Sequence, residues 1–103
     1  MKPVIIVSTF PNKTSITKIA NQLVKKKLVA CVNIMKISSV YSWKGKIENQ
    51  PEYLALFKTT KKNQLVLKKE LRKLHPYDIP EIAEINVDSI NQSYLKWLVD
   101  STR

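Results

Sequence analysis

His75 and Cys31 are the only histidine and the only cysteine in the chain, and they offer its softest chemistry. His75 stands in the run His75-Pro76-Tyr77-Asp78-Ile79-Pro80, where a helix must end and a turn begin. A side chain there can be exposed and oriented, and a neutral imidazole, with an ordinary pKa of about 6.5, binds copper or zinc. The competing reading is a helix-terminal imidazole that meets the helix dipole. Cys31 opens a strand, where a free cysteine is either a metal-binding thiolate or, more commonly, a small buried hydrophobe. One histidine and one cysteine cannot close a structural zinc site. Any metal must therefore also take carboxylates, water or groups from several subunits, and Glu81, just past the turn, completes the candidate set His75, Cys31 and Glu81.

A second constellation is Tyr41, Trp43, Lys58, Tyr77 and Glu81. Each alone reads as packing or surface. Together, rings with polar handles and charged side chains describe the lining of a ligand cleft. Ser8 and Thr9 at a strand end are hydroxyls without an assigned base, which favours a structural role. With a single glycine the chain cannot build a Gly-rich phosphate loop. No acidic cluster suggests a two-metal centre, and nothing defines a reaction, so the reading is non-enzymatic.

The elements that must position these residues centre on Ala30 to Thr59. Two runs of strand-forming residues, Cys31 to Trp43 and Ile47 to Thr59, flank Gly45, which accepts the positive φ of a tight hairpin turn. Pro51 interrupts the second run and predicts a bulge or an exposed edge. A strand of about 14 residues spans roughly 45 Å, whereas a compact chain of about 100 residues is only some 35 Å across. The hairpin tip should overhang, exposing Val40, Tyr41 and Trp43 until another copy covers them.

Around the hairpin, Pro3 to Thr9 reads as a buried strand. Ile16, Ile19, Ala20, Leu23 and Val24 follow helical spacing after a cap at Asn12, Thr14 or Ser15. Lys61 to Leu74 reads as a second helix, with Leu67, Leu71 and Leu74 on one face. Glu81 to Val87 alternates as a fourth strand, and a last helix through Tyr94, Leu95, Leu98 and Val99 is capped by Ser89 or Asn91. The order β-α-β-β-α-β-α is an α+β, ferredoxin-like pattern with one extra C-terminal helix, in a single domain over 1–103.

The net charge of +10 suggests either a polyanion partner or a solvated lysine surface. Lysines far outnumber arginines, the usual base-reading residues, and no nucleic-acid motif is present, so no specific nucleic acid is expected. No apolar run approaches the roughly 20 residues of a membrane span, and the start lacks a signal-peptide core. The expected location is the cytoplasm.

Ala30-Cys31-Val32-Asn33-Ile34, the stretch Ser39 to Glu48, Lys58-Thr59, the stretch His75 to Ile82 and Tyr94-Leu95-Lys96-Trp97-Leu98 together resemble the CutA divalent-cation tolerance family, in order and across essentially the whole chain. The resemblance implies a homotrimer whose long hairpins make intersubunit sheets, a role in tolerance of copper and other divalent cations, and a trimer similar to the PII signalling proteins. It also implies intersubunit clefts lined by Cys31, Tyr41, Trp43, Lys58, His75, Tyr77 and Glu81. Some bacterial members carry a thiol in the first strand and two adjacent histidines before the turn, where this chain has Ser8 and Leu74. The expectation is therefore weak, unselective binding of Cu(II) or another divalent cation, with no obligatory cofactor. The alternative is a PII-like sensor that binds a small anion through Lys58 between Tyr41 and Trp43.

Overall fold

Alternation in the first strand decides which side of the sheet becomes the core. In the computed structural model, which describes residues 1–103, β1 (Pro3–Phe10) turns Val4, Ile6, Ser8 and Phe10 to one buried face. Asn12 caps α1 (Lys13–Lys25), its Oδ1 accepting from the Ser15 N–H at 2.8 Å, and α1 lays Ile16, Ile19, Ala20 and Leu23 on that face. The helix stops where Lys27 turns left-handed at φ 60°. The Leu28 N–H then reaches the Leu23 carbonyl at 3.1 Å, and the Lys27 N–H reaches Val24 at 3.0 Å. That is a Schellman ending with lysine in the place glycine usually takes.

The chain continues through β2 (Cys31–Trp43), a two-residue turn and β3 (Lys46–Thr60). Lys44 at φ 49° and Gly45 at φ 79° give the turn both positive φ values that the strand twist requires. A 3-10 turn (Lys61–Asn63) precedes α2 (Gln64–Leu74), so the expected second helix begins on a tighter first turn. Then come β4 (Ala83–Asn86) and α3 (Gln92–Ser101). The four strands form an antiparallel sheet in the order β2-β3-β1-β4. α1 and α2 cover one face around Ile6, Phe10, Ala55 and Phe57. This is the expected ferredoxin-like α+β order with its added C-terminal helix.

Two expectations about the strands change. The β2–β3 register is unbroken from Cys31↔Lys58 to Trp43↔Lys46, so Pro51 makes no bulge. It makes the other predicted feature, an exposed edge. Pairing of β3 with β1 ends at Phe10↔Tyr53, leaving β2 as the only neighbour at Pro51. A two-residue turn makes Trp43–Lys46 a hydrogen-bonded pair, and alternation then aims the Pro51 nitrogen away from β2, where no donor is needed. The fourth strand is shorter than Glu81 to Val87. Its pairing with β1 stops at Val7↔Ala83, and the residues before it follow the bends at 76–79 rather than the ladder.

The hairpin carries the molecule to 45 × 26 × 21 Å, and Val40, Tyr41, Trp43 and Ile47 are exposed along it. The sheet face away from α1 and α2 carries Cys31, Met35, Lys58 and Ile85 by register. α3 reaches β3 there through Tyr94, whose ring lies 5.8 Å from the Lys58 Nζ.

Candidate functional site: an acidic, aromatic cavity

His75 is the hinge of the site. Leu71 and Leu74 draw the end of α2 onto the core, and Pro76 forbids another helical turn. His75 is thereby buried rather than exposed as its place in a turn suggests, stacked on Phe10 with ring centroids 4.3 Å apart. Its Nδ1 accepts from the Tyr77 N–H at 3.1 Å. The neutral ring therefore carries its hydrogen on Nε2, which lies 3.0 Å from the Ser8 hydroxyl. Both nitrogens are engaged. Burial holds the imidazole below its ordinary pKa, against the opposing pull of the Thr9 backbone and the Glu52 charge. Ser8 is fully buried, and its hydroxyl is a partner for His75 rather than a nucleophile open to substrate.

From His75 the chain passes to the opposite side of the sheet. The Tyr77 hydroxyl donates to Glu52 Oε2 at 2.7 Å. Glu52 alternates with the core-facing Tyr53 and so belongs to the face of Leu54, Leu56 and Lys58. Burial, and then the bond to Glu52, raise the Tyr77 pKa well above the ordinary phenol value, so this bond keeps its proton. Between the 77–81 segment and the hairpin lies a cavity of about 370 Å³. Tyr41, Trp43 and Tyr77 supply its rings, and Glu52, Asp78 and Glu81 supply carboxylates, with Thr9 and Ile79 completing the wall.

Four of the five residues expected to line a cleft, Tyr41, Trp43, Tyr77 and Glu81, thus share one cavity. Lys58 does not. It pairs with Cys31 in the register and lies against Tyr94. Nor do the three expected metal ligands converge within one protomer. Glu81 lines the cavity, His75 lies beneath it on the helix face, and Cys31 is half-buried on the cavity's sheet face but beside Lys58, well along β3 from Glu52. No three imidazole, thiol or carboxylate groups come close enough to hold a metal ion on their own. Sequence reasoning missed Glu52 and Asp78. The available signals were an acid within the apolar alternation of β3 and the sole acid between Pro76 and Pro80.

The charge of the cavity runs against that of the molecule. The chain has eight carboxylate side chains and a net charge of +10. Glu70, Glu84 and Asp100 are paired with Lys26, with Lys61 and Lys68, and with Arg103. Glu52, Asp78 and Glu81 have no basic partner, and no lysine or arginine lines the cavity. Such a concavity attracts cations and repels anions.

Residues 4–101 match the family model described as CutA1 divalent ion tolerance protein. The divalent-cation tolerance protein CutA of Pyrococcus horikoshii is 41% identical over 100 residues, covering 97% of this chain and 98% of that protein. Its counterpart in Thermotoga maritima is 42% identical over 98 residues, covering 95% and 97%. The crystal structure of CutA1 from Ehrlichia chaffeensis superposes with a TM-score of 0.96 at 33% identity, covering 100% of this chain and 98% of that one. Sequence and overall fold agree, and the chain belongs to the CutA1 divalent-ion tolerance family.

Proposed function

We propose that this protein serves divalent-cation tolerance as a homotrimer, holding hydrated divalent cations weakly in the acidic cavity. The observation that carries the reading is the set of three carboxylates, Glu52, Asp78 and Glu81, left without a basic partner in a strongly basic chain. Because no closed ligand set forms, a cation there keeps much of its water. Oxygen donors and water discriminate little among divalent ions, so copper leads by the ordinary affinity order while zinc and manganese compete. His75, with both nitrogens engaged, positions the 77–81 wall, and Cys31 plays no part in this cavity.

Within one protomer Lys58 stands apart from Tyr41 and Trp43, so the anion-binding alternative requires that a second copy bring them together. A cytoplasmic setting belongs to the proposal. No helix is long and apolar enough to cross a membrane, while the names of similar proteins include a chloroplastic one from Arabidopsis thaliana and a periplasmic one from Archaeoglobus fulgidus.

The test is calorimetric titration of the chelator-treated protein with Cu(II), Zn(II) and Mn(II). Saturable, weak binding should disappear in Asp78→Asn/Glu81→Gln and persist in Cys31→Ser. Binding that survives the carboxylate variant but fails in Cys31→Ser moves the site along the sheet to the Cys31–Lys58 pair and overturns the assignment.

A further inference from the structure

A hydrated metal ion uses carboxylates and leaves three aromatic rings of the same cavity without a purpose. We infer that the cavity is also a binding site for a small organic ammonium ion, one whose charged nitrogen is flanked by apolar carbon. It shares the cavity with the metal reading but requires no metal.

Three observations converge. Tyr41, Trp43 and Tyr77 present rings to one space with carboxylates between them. Ring faces attract a cation whose charge is spread over C–H groups, and a carboxylate neutralises it, which is how quaternary and alkylated amines are recognised. Glu52 is 9% exposed. One of its oxygens accepts from Tyr77, the other has no donor in the protein, and no basic side chain pairs with it. Its second oxygen stays open to the solvent of the cavity, where it can face a positive ligand. Finally, the Lys44 Nζ already lies 5.9 Å from the centre of the Trp43 ring. The ring therefore already takes one ammonium group, an exposed side chain that a ligand can displace or face from the opposite side. The cavity volume of about 370 Å³ lies at the small end of the ligand-site range of roughly 300–1,000 Å³, which selects a ligand of a few carbons over a polymer.

The experiment uses the intact, chelator-treated oligomer in a Trp97→Phe background, so that Trp43 is the only indole. Its fluorescence is titrated with tetramethylammonium and n-butylammonium at low salt, beside tert-butanol as a neutral isostere and butyrate as an anion. The proposal expects a saturable response to both ammonium ions alone. Binding should weaken about tenfold or more in Trp43→Leu, read by calorimetry, and in Asp78→Asn/Glu81→Gln. Lys44→Ala should bind at least as tightly. No saturable response to either ammonium ion, or binding that survives both Trp43→Leu and the carboxylate variant, overturns it. If the ammonium ions fail while divalent metals bind, this inference falls and the metal reading stands. If ammonium binds and metals do not, the metal reading falls alone.

Discussion

His75 is a structural acceptor whose protonation the fold resists. Charging the ring removes the Nδ1 lone pair that accepts the Tyr77 N–H. In the unfolded chain the imidazole takes its proton near its ordinary value of about 6.5, and burial lowers that value in the folded chain. Between the two values the unfolded chain binds more protons, so stability is full above about pH 6.5 and declines as pH falls towards the folded value. Guanidinium midpoints at fixed protein concentration should therefore drop between about pH 7 and pH 5, and His75→Asn should be less stable throughout yet lose that slope. Glu70 and Glu84, lowered chiefly by hydrogen bonds from Lys26 and Lys61, act in a separate range. Their stabilisation is present above the ordinary carboxylate value and is lost as pH falls below about 4.5. At this scale the sequence was only partly legible. The types of Tyr41, Trp43, Tyr77 and Glu81 suggested a cleft, but the burial of His75 depends on how α2 docks, and no local spacing encodes that. The separation of Lys58 from Tyr41 follows from a register that runs the length of the hairpin.

Elements were easier to read, because hydrophobic period and turn chemistry are local. The two long strands, α1 with its Asn12 cap and the last helix stand where their patterns put them. What local reasoning missed was backbone handedness. Lys27, just past the end of α1, occupies the left-handed position of a Schellman ending. A left-handed lysine costs about 1–2 kcal/mol, and a glycine there adds about 0.5–1 kcal/mol of unfolded-chain entropy to lose. Lys27→Gly should accordingly stabilise each protomer by roughly 0.5–1 kcal/mol, seen as a higher guanidinium midpoint at constant protein concentration. Gly45→Ala should do the reverse by about 1 kcal/mol. The space beside Gly45 is open, but its φ of 79° disfavours any Cβ.

The whole molecule is one-sided: two helices cover one sheet face, and a long arm leaves the body with Val40 and Ile47 exposed at 68% and 69%. Native mass spectrometry should find three times the 11.9 kDa chain mass, and Val40→Lys/Ile47→Lys should shift the population towards single chains. A monomer at micromolar concentration would defeat the trimer proposal. The overhang was legible because it needed only strand length against domain size. The identity of the covering surface was not, because that information lies in a second copy. Pro51 then acquires a meaning in time. A freshly made protomer carries an arm whose outer strand edge has lost β1 as a neighbour, a template on which any extended chain could add. At Pro51 that edge offers no N–H, and Lys44 and Lys46 guard its tip, so indiscriminate strand addition is opposed. The proline thus protects the newly synthesised chain during the interval before assembly, when its own kind is scarce and other unfolded chains are not.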